Sequence, residues 1–271
     1  MFNKDGIKRY ADIRYSQFLG TRKEKMNLAF NDRLFEIIQD VGDDKAKLGT
    51  IYEYLNKSTV ISNGKIRTND GEFIVDPHYL TYLALMCDKF DAYSKMAKEN
   101  NIEYCHDAWA NVFPKLSKLS DKAINDLINY HFLNNDKIYS EDLSYFIREI
   151  LVYDNREFNL TEVFNRQLQS AIIEDEGDCL GLLYLINDAT MNEKLYNRAL
   201  KLGVDVSRAK KLILEADSDT LALHTEWIIE ALESEGSTNG AIEDKNFRQK
   251  IGYKDFCNKV LEKVEKNNVQ E

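Results

Sequence analysis

The stretch Met26–Val41, MNLAFNDRLFEIIQDV, decides the fold class of this chain. Leu28, Phe30, Leu34, Phe35, Ile37 and Ile38 recur at intervals of three and four, the spacing that gathers side chains on one face of a 3.6-residue helix. Gly42-Asp43-Asp44 follows. It joins a residue free to adopt positive φ with carboxylates able to cap a second helix. The same periodicity predicts helices over 45–56, 78–100, 107–116, 121–132, 141–152, 161–173, 179–188, 192–202, 207–216, 219–233 and 254–266. Asp76, Ser120, Ser140, Thr161 and Ser218 stand at expected caps, and Pro77 falls in a first turn, where a missing N–H does no harm.

One segment departs from the helical period. Ser58-Thr59-Val60-Ile61-Ser62, Lys65-Ile66-Arg67-Thr68 and Glu72-Phe73-Ile74-Val75 are separated by Asn63-Gly64 and Asn69-Asp70-Gly71. Asn-Gly and Asp-Gly favour the positive φ of tight hairpin turns, and β-branched residues flank both. The reading is a mainly α protein, an irregular helical bundle or stacked helix pairs, with one small β-meander near residues 58–75. No fixed-period repeat emerges. The polar run Asn134-Asn135-Asp136 and the run Gly236-Ser237-Thr238-Asn239-Gly240 divide the chain. The expected parts are a helical domain with the meander inserted (1–135), an acidic helical domain (136–236), and a linker with a C-terminal helical segment (237–271).

Composition narrows the function classes. With 271 residues, 44% hydrophobic and 30% charged, and only 12 Gly and 2 Pro, the chain can bury a core or two. No apolar run reaches the ~18–20 residues of a membrane span, and Met1–Gly20 holds four Lys/Arg and two Asp without the apolar core of a signal peptide. A cytoplasmic protein with no membrane partner is expected. Cys87, Cys105, Cys179 and Cys257 are too widely spaced for a zinc pair or a compact disulfide framework, which suits reduced thiols. The Lys- and Asn-rich composition is that of a bacterial or phage protein.

The net charge of −10 is unevenly spread: residues 1–25 carry +4, 141–180 carry −7, 181–214 carry +3 and 215–235 carry −7. A net acidic chain repels nucleic acid and anionic membrane at long range, whereas its acidic blocks suit a basic partner. The block 215–235 contains no Lys or Arg. Asp219, Glu226, Glu230 and Glu233 share its polar side, opposite Leu221, His224, Trp227, Ile228, Ala231 and Leu232. Like charges four residues apart on a helix are mildly unfavourable, and a basic partner would offset that repulsion. These four carboxylates are the candidate partner-binding residues.

Two other regions could meet nucleic acid. Ala199 and Gly203 stand four apart between amphipathic stretches in Glu193–Leu214, with Arg198, Lys201, Arg208, Lys210 and Lys211 clustered there. The arrangement resembles a helix-turn-helix, which implies a second helix offering Ser207, Arg208 and Lys211 to DNA. Val204-Asp205-Val206 lengthens the turn, and Asp205 would repel phosphate. The N-terminal arm interleaves Lys8, Arg9, Tyr10, Arg14, Tyr15, Phe18, Arg22, Lys23 and Lys25, which suits either stacking on nucleotides or a docked helix with Ile7, Ala11, Tyr15 and Phe18 on one face.

His78 with His106-Asp107 resembles the histidine and His-Asp pair of the HD phosphohydrolases, which implies a metal-bridging pair closed by an Asp such as Asp121, Asp126 or Asp142. Glu174-Asp175-Glu176-Gly177-Asp178 lacks the alternating ligand spacing of a calcium loop. No Gly-rich phosphate loop, G-x-S-x-G elbow or dinucleotide fingerprint is present. No catalytic residue, cofactor or metal ligand is assigned. The leading expectation is a stoichiometric protein-binding factor of the inhibitor or immunity type, phage-encoded against a host defence enzyme in its sharpest form. The alternatives are a helix-turn-helix nucleic-acid-binding regulator and a metal-dependent phosphohydrolase. Self-association into a homo-oligomer is compatible with each.

Overall fold

The computed structural model describes residues 4–14, 16, 20–102, 116–134, 140–173, 177–216, 225–233 and 241–268. The chain divides into two compact units, Met1–Tyr130 and His131–Glu271. The fold is mainly α with one small antiparallel sheet.

In the first unit, α1 (Lys4–Arg14) packs on α2 (Arg22–Val41) through the buried Ile7 and Ala11. A capping box starts α2: Thr21 Oγ1 accepts from the Glu24 N–H at 3.3 Å and Glu24 Oε2 accepts from the Thr21 N–H at 2.6 Å. The buried stripe is Ala29, Phe30, Leu34 and Ile38, while Leu28 turns out to solvent. One apolar residue at the edge of a wide stripe is therefore left over. Next, α3 (Lys45–Ser58) is capped by the Asp44 carboxylate, which accepts from the Lys47 N–H at 3.2 Å.

The meander is present. Strands β1 (Thr59–Ser62), β2 (Lys65–Thr68) and β3 (Ile74–Val75) pair in that order, with Ile61 opposite Ile66 and Ile66 opposite Val75. Asn63 and Gly64 form the first turn at φ 51° and 66°, the double positive φ that a two-residue hairpin demands. Asp70 holds the second turn, its Oδ1 accepting from Thr68 Oγ1 at 2.7 Å and from the Glu72 N–H at 3.0 Å. The exposed side of β3 is closed by α2. Asn27 Oδ1 accepts from the Ile74 N–H at 3.1 Å, Asn31 Nδ2 donates to the Ile74 carbonyl at 2.9 Å, and Asn31 Oδ1 accepts from the Asp76 N–H at 2.8 Å. Two carboxamides thus stand in for a fourth strand, and Phe30 stacks on Phe73 at 4.8 Å below them.

The expected single helix over 78–100 is two helices, α4 (Pro77–Met86) and α5 (Phe90–Glu99). Asp88 adopts φ 59° between them, the Lys89 N–H returns to the Ala84 carbonyl at 2.8 Å, and the Asp88 N–H to Leu85 at 3.3 Å. These bonds form a Schellman stop with Asp in the left-handed place that glycine usually takes. Ser120 Oγ donates to the Asp88 carboxylate and so ties down this reversal. Ser120 also caps α6 (Asp121–Asp126), accepting from the Ala123 N–H at 3.1 Å. A π-helical segment, Leu127–Phe132, follows α6.

In the second unit, α9 (Gly177–Thr190) is the central element. Around it pack α7 (Ser140–Tyr153), α8 (Thr161–Ile173), α10 (Glu193–Lys201), α11 (Val206–Glu215) and α12 (Thr225–Glu233). Leu182, Leu183, Leu185, Ile186 and Ala189 of α9 are buried. Thr161 lies inside α8 rather than capping it, and Asn159 Oδ1 accepts its N–H at 3.1 Å. Arg198 of α10 donates to the Ile150 and Leu151 carbonyls at 3.0 Å and to the Arg156 carbonyl at 2.9 Å, closing the end of α7. Two further helices, α13 (Lys245–Lys250) and α14 (Tyr253–Asn268), end the described chain, with α14 against α11 and α12. Their anchor is Arg248, whose guanidinium donates to the Asn187 carbonyl at 3.0 Å and to Glu243 at 3.1 Å and lies 4.2 Å from the Tyr253 ring centroid.

His131, at the start of this unit, is fully enclosed. Burial, with the Arg166 guanidinium adding, pushes its imidazole from the usual value near 6.5 down to about 3. The folded value is depressed, so the unfolded chain takes up a proton below pH 6.5 that the folded chain refuses. Stability is complete above that pH and falls as the medium is acidified, by about 1.4 kcal/mol per pH unit. Urea titrations at pH 6.5 and 5 should differ by about 2 kcal/mol from this group, and His131→Leu should flatten that slope. An equally steep slope in the variant would place the pH dependence elsewhere.

Candidate functional site

On α12, Ile228, Ala231 and Leu232 face inward, while Glu226, Glu230 and Glu233 are exposed. Asp219, Leu221 and His224 lie outside the described residues. Trp227, which the helical pattern puts on the buried side, is instead 54% exposed. Trp227 and the carboxylates of Glu226 and Glu230 are thus all on the exposed part of one helix.

The surface continues across α9 onto α7. Burial raises the Tyr184 phenol, and the nearby Glu230 carboxylate raises it further. The Arg148 guanidinium lies 5.0 Å from the centroid of that same ring and is neutralised by buried Asp188 at 2.7 Å. Tyr145, one turn before Arg148, and Tyr153, the last residue of α7, are both exposed. Tyr145 is raised by partial burial and then by Glu149, which bonds its hydroxyl. The face therefore combines aromatic rings (Tyr145, Tyr184, Trp227) with carboxylates (Glu149, Glu226, Glu230, Glu233). Among the described residues, the cation at its centre is Arg148, which is paired inward with Asp188. Such a face can bury rigid apolar area at its middle and meet cations at its rim.

The other sequence candidates are placed differently. Ser207, Arg208 and Lys211 lie on the exposed side of α11, opposite buried Val206, Ala209 and Ile213. Asp205 is the N-cap of α11 and accepts from the Ser207 N–H at 3.0 Å, so the residue that opposed a phosphate contact has a structural task. Arg208 donates to Asn165 Oδ1 at 2.8 Å, and Lys211 approaches Glu215 at 3.7 Å. Arg208 and Lys211 border a surface groove of about 840 Å³ that also includes Arg166, Glu162 and Glu215. Its three cations stand among two carboxylates, Glu162 and Glu215, so the lining is of mixed sign, unlike the one-sign stripe that tracks a phosphate backbone.

His78 Nδ1 lies 2.7 Å from the Asp76 carboxylate at the start of α4. His106 and Asp107 are outside the described residues, among which no group of three or more His, Cys, Asp or Glu could hold a metal ion. Of the possible closing carboxylates, Asp126 pairs with Lys122 one turn earlier. In the N-terminal arm, Lys8 approaches Glu72 at 3.6 Å and the Tyr10 hydroxyl donates to Glu36 at 2.9 Å, while Tyr15 and Phe18 are outside the described residues. Among the described residues, no disulfide joins Cys87, Cys179 and Cys257, and no helix is long and apolar enough to cross a membrane. No protein-family model, curated protein or solved structure matches the chain.

Proposed function

We propose that the protein is a stoichiometric protein-binding factor, of the inhibitor or immunity type, whose acidic face on α7, α9 and α12 docks on a basic surface of a partner protein. The observation that carries this reading is Trp227, 54% exposed and flanked by Glu226 and Glu230 on one helix. An aromatic anchor contributes most of its energy when desolvated at the centre of an interface, and the surrounding carboxylates speed encounter with a cationic surface and reject anionic ones. Occupying a partner's surface needs no catalytic group. A phage product that blocks a host defence enzyme by covering its nucleic-acid site is the sharpest form of this proposal.

The test is charge reversal. The triple variant Glu226→Lys, Glu230→Lys, Glu233→Lys changes only exposed side chains, so its helical circular dichroism should match the wild type. Its affinity for a partner captured from nuclease-treated bacterial lysate should fall at least ~100-fold, as expected when several rim charges and their steering are inverted together. Unchanged affinity would overturn the acidic-face mechanism. A regulator working through Ser207, Arg208 and Lys211 would instead shift labelled DNA with a steep salt dependence and be indifferent to the triple variant.

A further inference from the structure

The two edges of the meander differ. On the β3 side, Asn27 and Asn31 of α2 meet the main chain of Ile74 and Asp76. On the β1 side, the outward groups follow from the alternation of an antiparallel ladder, in which successive residues of a strand address opposite neighbours. The Thr68 N–H donates to the Phe73 carbonyl at 3.0 Å, so Thr68 and, two residues earlier, Ile66 address β3. The Asn69 N–H reaches the Ser58 carbonyl at 2.9 Å and so addresses the β1 side. Thr59 and Ile61, which stand opposite Thr68 and Ile66, therefore turn their N–H and C=O groups away from β2. Among the described residues these groups form no hydrogen bond. Val60, between them, is 48% exposed.

Two properties set what fits this edge. Outward N–H and C=O groups at every second residue are a template for an extended main chain, since a strand laid alongside satisfies all of them together. The outer face supplies the side-chain preference. Lys65 stands opposite Ser62 and Arg67 opposite Val60, on the side of the sheet away from buried Ile66 and Val75. Among the described residues neither cation is paired with a carboxylate: Glu72, beyond the second turn, approaches Lys8, and Asp70 is held in that turn by Thr68 and the Glu72 N–H. Two strand spacings come to about 10 Å, a gap that a Lys or Arg and a facing Glu can close between them. The short Ser62 side chain leaves the way across β1 open. A cationic face on a chain of net charge −10 favours acidic segments and rejects basic ones.

We infer that β1 is a docking edge for an extended acidic segment of another protein, added antiparallel as a fourth strand of the sheet, with its main chain bonded to Thr59 and Ile61 and its carboxylates directed over β1 toward Lys65 and Arg67. The site lies wholly within the first unit and is independent of the acidic face. The experiment titrates the full-length, ¹⁵N-labelled protein with a short capped peptide alternating Thr with Glu, and with its Lys-for-Glu counterpart. The acidic peptide should shift the Val60, Ile61 and Ser62 amide resonances saturably. At saturation it should slow hydrogen exchange of the Ile61 amide at least ~10-fold, the protection conferred by a new main-chain bond, and the Lys peptide should do neither. When the carboxylates lie on the outer face, it is the Thr N–H groups that face β1. N-methylation of the Thr residues should therefore abolish binding, and N-methylation of the Glu residues should be tolerated. Lys65→Glu combined with Arg67→Glu should weaken the acidic peptide about tenfold or more and admit the Lys peptide. An Ile61 amide that stays unprotected, equal titration by the Lys peptide, or indifference to which residues are N-methylated would overturn the proposal. So would a response to single-stranded oligothymidylate as large as to the peptide, which would mark a phosphate-binding patch instead of a strand site. If the double reversal fails to fold, the pair of N-methylated peptides decides alone, because it leaves the protein unaltered.

Discussion

Gly203→Ala is expected to destabilise the second unit by about 3 kcal/mol, from the combined penalties of a left-handed L-residue and an overpacked contact. Gly203 closes α10 at φ 87°, its N–H reaching the Leu200 carbonyl at 3.1 Å while the Val204 N–H returns to Ala199 at 2.8 Å. A methyl group there would stand 2.1 Å from Thr161 Oγ1 and 3.1 Å from both Thr161 Cβ and N. The start of α8 cannot swing away freely, because the Leu160 N–H donates to the Leu202 carbonyl at 2.8 Å. Thr161→Ala removes the closest atom but not the backbone contact. In the Gly203→Ala background it should restore about 1 kcal/mol, the coupling expected of touching residues. Urea midpoints of the four proteins measure this directly, and an unchanged midpoint for Gly203→Ala would show that the two chain segments do not meet as described.

Arg248→Ala should be the more damaging change, at about 4 kcal/mol, because it strips a buried hub and leaves its acceptors unpaired. Arg248 is 9% exposed. Besides the Asn187 carbonyl and Glu243, its guanidinium donates to the Asn187 side-chain oxygen and to the Thr190 carbonyl at 3.4 Å. The Tyr253 hydroxyl lies within hydrogen-bond distance of both Asn187 Oδ1 (3.1 Å) and the Leu232 carbonyl (3.0 Å). One cation thus joins the end of α9 to α13 and α14. Arg248→Lys keeps the charge but not the planar fork, and should recover less than half of the loss. Near-ultraviolet dichroism and urea unfolding of the variants check this. A loss under 1 kcal/mol for Arg248→Ala would mean the network is hydrated rather than closed.

What could be read from sequence divides along physical lines. The meander was legible because Asn63-Gly64 and Asp70-Gly71 carry their turn geometry locally, and both turns sit where those residues place them. The caps at Asp44, Asp76 and Ser120 were legible for the same reason. The break between α4 and α5 was not, since apolar periodicity runs through Met86–Phe90 and the stop depends on Asp88 taking a left-handed conformation held by the distant Ser120. Periodicity also failed at Trp227. Spacing tells which residues share a helix face, not whether a neighbouring element covers all of it, and here it is Ile228, Ala231 and Leu232 that meet α9 and α14 while the indole stays out. The acidic side of that helix was legible as charge. Its aromatic half, from Tyr145 and Tyr184 on other helices, exists only once α7, α9 and α12 are packed side by side. Arg248 gave no signal at all, because a lone Arg in a polar helix reads as surface until its burial is seen.

The central claim is that a partner protein seats on Trp227 and its surrounding carboxylates. Its most direct test is site-specific photocrosslinking, with a photoreactive phenylalanine at position 227 and, as a control, at the exposed Tyr54 of α3 in the other unit. The account predicts one adduct of fixed mass from position 227, none from position 54, and loss of the adduct when Glu226, Glu230 and Glu233 are reversed to lysine. Equal adducts from both positions, or a position-227 adduct that survives the charge reversal, would contradict it.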